Sequence, residues 1–176
     1  MERWDEIVAR LPAGDCSVVE VGVWQAACVA RVLQAHNGVT VHCVDPWRAA
    51  RPGEPYALSG STDSLLKQAD FDLAYLQAVK RLSPYGSRAV IHRQTSAEAS
   101  LVLCGVDLVY IDGDHSYDGC REDIRLWQQA VKPGGWLGGH DYSHPRFPGV
   151  TRAVREAFPD WADTVIDGAD HTWWRR

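Results

Sequence analysis

The 176-residue sequence predicts an α/β domain in which a mostly parallel sheet is covered by helices on both faces. Short apolar runs rich in valine and isoleucine alternate along the chain with segments of helical periodicity. The runs share a kind of ending. Val18-Val-Glu-Val-Gly22, Val41-His-Cys-Val-Asp45, Val106-Asp-Leu-Val-Tyr-Ile-Asp112 and Trp136-Leu-Gly-Gly-His-Asp141 each close on glycine or polar residues. In open α/β sheets that carboxyl edge is where ligands bind. A final pair of apolar runs around Asp167-Gly168 reads as a hairpin and adds an antiparallel edge.

Each element follows from local pattern. Residues 2–11 form an amphipathic helix with Trp4, Ile7, Val8 and Leu11 on one face, and Leu11-Pro-Ala-Gly-Asp15 breaks it. Strand one covers 17–21. A helix over 25–36 carries Ala27, Val29, Ala30, Val32 and Leu33, and Asn37-Gly38 ends it with residues that accept a left-handed cap. Strand two covers 39–44. Residues 46–62 hold Pro46, Pro52 and Pro55 among small polar residues. Loops of that length in compact domains serve function, and this one is expected to lie, mobile, over the site. A helix over 63–82 ends at Pro84-Tyr-Gly86, strand three covers 88–92, and a short helix starts near Ser96. Strand four covers 106–111, a helix spans 117–131, and strand five follows the Pro133-Gly-Gly135 turn over 135–140. A helix over 149–157 and strands at 162–167 and 170–175 close a single domain of residues 1–176.

Composition narrows the class. A net charge of −5 argues against a general nucleic-acid binder. No apolar run approaches the roughly 18 residues of a membrane span, and Met1-Glu-Arg-Trp-Asp-Glu has no signal-peptide pattern. The expectation is a cytoplasmic protein with neither nucleic-acid nor membrane partners. The five cysteines, Cys16, Cys28, Cys43, Cys104 and Cys120, form no CxxC pair and read as free thiols of a reducing compartment. Most of the eight tryptophans read as packing residues, but Trp24 and Trp47 each follow a sheet-edge motif.

The chemistry gathers at the strand ends. Glu20-Val-Gly22 closes a strand and opens a helix, a turn at which backbone can approach a ligand. Neither the G-x-G-x-x-G fingerprint nor a P-loop is present, which argues against NAD, FAD and nucleoside triphosphates. Asp45 follows Gly22 by 23 residues and stands where a carboxylate accepts hydrogen bonds from ribose hydroxyls. Asp112, Asp114 and His115 lie just past strand four. Clustered carboxylates repel unless a cation, a proton or a substrate compensates them, although Asp114 or Ser116 can alternatively cap the next helix. His140 and Asp141 emerge from the neighbouring strand, so the two groups together could hold a divalent ion. Oxygen ligands favour Mg or Ca, and His140 tilts the set toward Mn, Fe or Zn. His144 reads as a solvated loop histidine, and His36, His42 and His92 as structural.

The series Glu20-Val-Gly22, Asp45, Thr95-Ser-Ala-Glu98, Val109-Tyr-Ile-Asp112 and Pro133-Gly-Gly135 resembles the class I S-adenosylmethionine-dependent methyltransferases. Ile111-Asp-Gly-Asp-His-Ser-Tyr-Asp-Gly119 and Gly139-His-Asp-Tyr142 are similar to the small bacterial group related to catechol-type and macrolide-sugar O-methyltransferases. The resemblance covers roughly residues 15–158. It implies a Rossmann-like three-layer sandwich whose seven-stranded sheet has the order 3-2-1-4-5-7-6. It further implies S-adenosylmethionine across strands one and two. Glu20 and Gly22 would shape the methionine pocket and Asp45 would hold the ribose. Thr95, Ser96 and Ala97 would flank the adenine, Trp47 would cover one adenine or ribose face, and Asp112 would border the cofactor. Asp112, His140 and Asp141 match the metal ligands of metal-dependent relatives, with Mg or Mn as the ion. Two departures stand out: Ala26 replaces a second glycine, crowding the methionine carboxylate loop by one methyl, and His140 replaces an acidic ligand.

The implied reaction is an in-line methyl transfer to the hydroxyl of a small metabolite or sugar. A cation at Asp112 and Asp141 would lower the hydroxyl pKa, and His115, His140 or Asp114 would take the proton. Two alternatives stand beside it: metal-independent transfer to nitrogen, and a non-catalytic nucleoside-binding protein on the same fold. Exposed tryptophans near the terminal hairpin would suit a homodimer interface.

Overall fold

The computed structural model describes residues 2–59 and 61–176. Seven strands form one sheet: β1 (Cys16–Val21), β2 (Val39–Val44), β3 (Ala89–His92), β4 (Val106–Ile111), β5 (Val131–Gly139), β6 (Ile166–Asp167) and β7 (Trp173–Arg175). Their spatial order is β3-β2-β1-β4-β5-β7-β6, the order that the family resemblance implies. Pairings from β3 through β5 are parallel, while β7 runs antiparallel to both β5 and β6.

Period-two alternation sends each strand's side chains to two cores. Val18, Val41, Leu108 and Tyr110 face the helices α1 (Arg3–Val8), α2 (Ala27–Ala35) and α3 (Gln68–Leu82). Val19, Val44, Val109 and Leu137 face the side of α5 (Tyr117–Trp127) and α6 (Pro148–Ala157). Two short helices, α4 (Ser96–Ser100) and α7 (Trp161–Thr164), complete the layers. The order in which strands are added to the sheet reverses between β1 and β4, so the loops after those parallel strands open a crevice at the carboxyl edge.

Several boundaries differ from the sequence reading, each for a local reason. Helix α2 begins at Ala27 because Trp24 (φ 50°) and Ala26 (φ 58°) hold left-handed backbone ahead of it. The segment expected as helix over 63–82 splits into a 3-10 turn (Thr62–Leu65) and α3, which restarts after the extended Lys67. Helix α5 stops at Trp127 and β5 already begins at Val131, pairing with Val106. The Pro133-Gly134-Gly135 step is therefore a bulge inside β5, where the register jumps from Val106↔Val131 to Leu108↔Trp136. The expected strand over 162–167 is α7 as far as Thr164 and strand only at Ile166–Asp167, so the terminal hairpin is shorter than the pattern suggested. Trp173 and Trp174 are wholly buried, so the hairpin tryptophans offer no surface to a second copy.

Helix α1 is pinned from two sides. Ile7 is buried against the α2 side of the sheet, and the Ala169 N–H donates to Glu6 Oε1 at 3.1 Å. Arg10 pairs with Glu6 and lies over the Trp174 ring, 4.2 Å from its centroid. No helix among the described residues is long and apolar enough to cross a membrane.

Candidate active site

The crevice is built where three strand ends touch. Gly22 turns the chain after β1 with φ 85°, and a Cβ there would overlap the Asp112 backbone carbonyl. Backbone hydrogen bonds from Gly22 N–H to Val44 O (2.9 Å) and from Asp112 N–H to Val21 O (2.8 Å) lock the loops together. Asp45, at the end of β2, accepts from the Trp24 N–H at 2.9 Å and the Trp47 N–H at 2.6 Å. Burial raises its pKa, and these backbone donors oppose the rise. The aspartate thereby ties two strained loops to the sheet edge.

A cavity of about 320 Å³ extends from this point, a size suited to a cofactor. Gly22, Asp45, Asp112 and the Thr95-Ser96-Ala97 turn line it. That turn is a capping box: the Glu98 N–H donates to Thr95 Oγ1 while the Thr95 N–H donates to Glu98 Oε2. Arg48, Ala50, Glu54 and Tyr56 of the proline-rich loop close one wall. Arg48 grips Glu54 through both guanidinium nitrogens at 3.1 Å, and Gln68 ties Trp47 and Ala49 to α3. Asp123 also lines this cavity and was missed by the sequence reading. It is buried and accepts from Ser96 Oγ, which in turn accepts from Trp127 Nε1 at 2.8 Å. Burial pushes its pKa up to about 7.

A second cavity of about 340 Å³ adjoins the first. Gly22, Trp24, Asp112 and His115 line both, and Glu20, His140 and Asp141 line the second. His115 Nε2 faces Asp141 Oδ2 at 2.8 Å and Asp112 Oδ1 at 3.5 Å. His140 Nδ1 faces the same Asp141 oxygen at 3.2 Å. Burial alone would lower the pKa of His115, but its hydrogen bonds to Asp112 and Asp141 prevail and push it up to about 10. His140 is raised for the same reasons, and the two imidazoles hold Asp141 well below the usual carboxylate range against the effect of its burial. Glu20 is buried beneath the cluster, where desolvation pushes it up to about 7 despite the nearby Arg3.

Arg3 was not foreseen. It reaches from α1 into the second cavity and sets Nη1 2.6 Å from Asp112 Oδ2. Its position on the helix held the signal, because Arg3 lies one turn from the fully buried Ile7.

Other residues fall elsewhere than the sequence suggested. Trp47 is wholly buried in the core, its Nε1–H donating to Trp24 O at 2.8 Å, so its ring covers no cavity face; Trp24 lines the cavity instead. Asp114 accepts from the Ser116 N–H at 2.8 Å and packs against Gly119, outside the histidine cluster, while Ser116 caps α5. The capping alternative describes Ser116, whereas Asp114 lines the first cavity and stands apart from the His115–Asp141 contacts. Ala26 is buried in the core and lines neither cavity, so its methyl group does not crowd the ligand space.

Among the described residues, Asp112, His115 and Asp141 offer three ligand atoms within 4.8 Å of one another. The nitrogen in that set belongs to His115, and His140 Nδ1 lies 3.7 Å from Asp112 Oδ1 and 3.2 Å from Asp141 Oδ2. The spacing spans an ion, but Asp112 is already paired with a guanidinium and Asp141 with two imidazoles. As arranged, the carboxylates are compensated from within the chain, and a divalent cation would enter only by breaking the imidazole contacts beside the guanidinium that Asp112 Oδ2 already holds.

A sheet of this order, with a glycine turn after β1 and an aspartate ending β2, has the architecture of the class I S-adenosylmethionine-dependent methyltransferases. Residues 19–142 match the family model described as a methyltransferase domain, and the chain belongs to that family. The solved O-methyltransferase NovP superposes with a TM-score of 0.69 at 21% identity, over 99% of this chain and 78% of that one. CalS11, a calicheamicin methyltransferase, gives 0.70 at 12% identity, over 99% and 77%. At these identities the likeness is one of fold. Protein R132 of Acanthamoeba polyphaga mimivirus is 25% identical over 150 residues, covering 83% of this chain; the chain spans 61% of that relative's length.

Proposed function

We propose that the protein transfers a methyl group from S-adenosylmethionine to an oxygen of a small hydroxylated metabolite or sugar. The observation that carries this reading is the position of the His115–Asp141 pair, 2.8 Å apart, on the border between the two cavities. The first cavity suits a nucleoside: Asp45 would take the ribose hydroxyls, and Ser96 and Ala97 would flank the base. The second would receive the acceptor. NovP and CalS11 are methyltransferases of matching fold, which favours the same chemistry here.

Bound S-adenosylmethionine supplies an electrophilic methyl group on a sulfonium. The chain's own part is alignment and proton transfer. Gly22 lets the backbone come close, and the loop of Arg48 and Glu54 walls off solvent. Asp141 orients the His115 imidazole through Nε2, which leaves Nδ1, without a hydrogen-bond partner among the described residues, as the nitrogen that would accept the acceptor's hydroxyl proton. With a pKa of about 10, His115 starts out protonated at neutral pH. Additional positive charge brought beside it lowers that value and readies it as a base. His140, on the other side of Asp141, holds the carboxylate in place.

We assign the protein to the cytoplasm, with small molecules as its ligands. Cys16, Cys28, Cys43 and Cys120 are buried free thiols and Cys104 is an exposed one, which suits a reducing compartment.

Calorimetric titration with S-adenosylhomocysteine, followed by a screen of hydroxylated acceptors for S-adenosylhomocysteine release, tests the reading. Binding that Asp45→Ala abolishes, with turnover on an alcohol or phenol, is expected. Absence of nucleoside binding would overturn it.

A further inference from the structure

We propose that Arg3 is the resident cation of this site: it supplies at Asp112 the positive charge that a divalent ion would bring, and makes the chain independent of metal.

The geometry supports a built-in role. Arg3 Nη1 contacts Asp112 Oδ2 at 2.6 Å, and the side chain is only 29% exposed. A guanidinium carries a permanent charge and presents several donors in one plane. The helix that carries it is fixed, because Ile7 is buried in the core, Glu6 accepts from the Ala169 N–H, and Arg10 lies on Trp174. The helix start is also set, with Glu2 and Asp5 forming a reciprocal capping box next to Arg3. Arg3 is therefore held at Asp112 by its helix and is not a surface arginine that happens to lie nearby. The remaining ligand atoms are engaged too, since His115 Nε2 and His140 Nδ1 both face Asp141 Oδ2. A metal ion between Asp112 Oδ1 and Asp141 Oδ2 would break the imidazole contacts and stand beside the guanidinium on Asp112 Oδ2, whose charge repels it.

Arg3 is a positioning residue in this account. It neutralises and aims Asp112, which in turn faces His115 Nε2 at 3.5 Å. The consequence for turnover rests on the methyl-transfer reading, whereas the charge substitution itself does not.

The test is Mn²⁺ binding to the full chain, followed by paramagnetic resonance, in the parent protein, Arg3→Ala, Arg3→Met and Arg3→Lys. Circular dichroism checks each fold, and Arg3→Met keeps the packing of the stem should Arg3→Ala unfold. The parent and Arg3→Lys are expected to hold no stoichiometric Mn²⁺, while the neutral variants bind it at least roughly tenfold more tightly, because removing one partner of a part-buried pair leaves a carboxylate uncompensated. Asp112→Asn introduced on top of Arg3→Met should remove the new binding. Stoichiometric Mn²⁺ on the parent, lost in Asp112→Asn, would overturn the proposal, and so would neutral variants that bind no better than the parent. A parallel titration with S-adenosylhomocysteine separates the two readings: its failure sinks methyl transfer and leaves the Mn²⁺ result to decide the role of Arg3.

Discussion

His115 and Asp141 follow different strands of the sheet, yet their side chains meet at 2.8 Å. The pairing depends on Asp141 adopting left-handed backbone (φ 61°) two residues after the end of β5, which turns its carboxylate toward the end of β4. A non-glycine residue in that region costs energy, and here the strained turn lies at the proposed reaction centre.

Asp141→Asn removes a charge that favours the imidazolium form of His115. The rate should rise with pH toward the His115 value of about 10 in the parent protein, because only the neutral ring accepts a proton. In the variant the rise should begin at least about one pH unit lower, with a smaller maximum because the ring is less well oriented. Profiles of kcat/KM against pH, recorded with any acceptor found, check both effects.

His115→Ala should lower kcat by about 10²–10⁴-fold, the usual contribution of a general base. S-adenosylhomocysteine affinity should stay within a few-fold of the parent, since the ring only borders the nucleoside cavity. Equal losses in both would place His115 in cofactor binding instead.

Asp123→Asn should reveal a pH-dependent cost in the folded state. The pKa of Asp123 is raised by burial to about 7 from an ordinary 3.8. Its contribution is therefore fully present below about pH 4 and is lost as pH rises through 7. The amide is neutral throughout and still accepts from Ser96. Urea unfolding should find the variant more stable than the parent at pH 8, by on the order of 1 kcal/mol or more, with the difference vanishing near pH 4.

Gly22→Ala and Ala26→Gly should behave in opposite ways although both sites have positive φ. At Gly22 a Cβ meets the Asp112 backbone, so the loops must separate, at a cost of at least ~2 kcal/mol. At Ala26, glycine relieves the left-handed strain but gives up a buried methyl, two effects of about 1 kcal/mol each. Thermal melts should show a large loss for the first and little change for the second. Because Ala26 lines neither cavity, its exchange should leave S-adenosylhomocysteine affinity within about twofold, less than 0.5 kcal/mol.

The strands could be read from the sequence because apolar β-branched runs such as Val106–Ile111 are periodic and end in turn residues. The bulge at Pro133–Gly135 was not readable as such, since Pro-Gly-Gly signals an interruption without saying whether the strand resumes. Gly22, Asp45, Asp112 and His115 could be placed in the crevice because strand ends define it. The orientation of side chains there could not. Trp47 has the same sequence context as a cavity residue, but the Asp45 hydrogen bonds and a left-handed turn (φ 42°) direct its ring into the core. Arg3 escaped notice because its partner lies 109 residues away, and a charge on a short helix reads as solvated until the sheet supplies a counter-ion.

The anchoring of α1 on residues 169–174 also bears on how the molecule is made. In a chain synthesised from its amino end, the arginine that quiets Asp112 leaves the ribosome well before the hairpin that holds its helix in place. Until then the β4 carboxylate faces its neighbours with no fixed counter-charge, so the nascent chain passes through a stage in which the sheet can form before its reaction centre is electrically balanced.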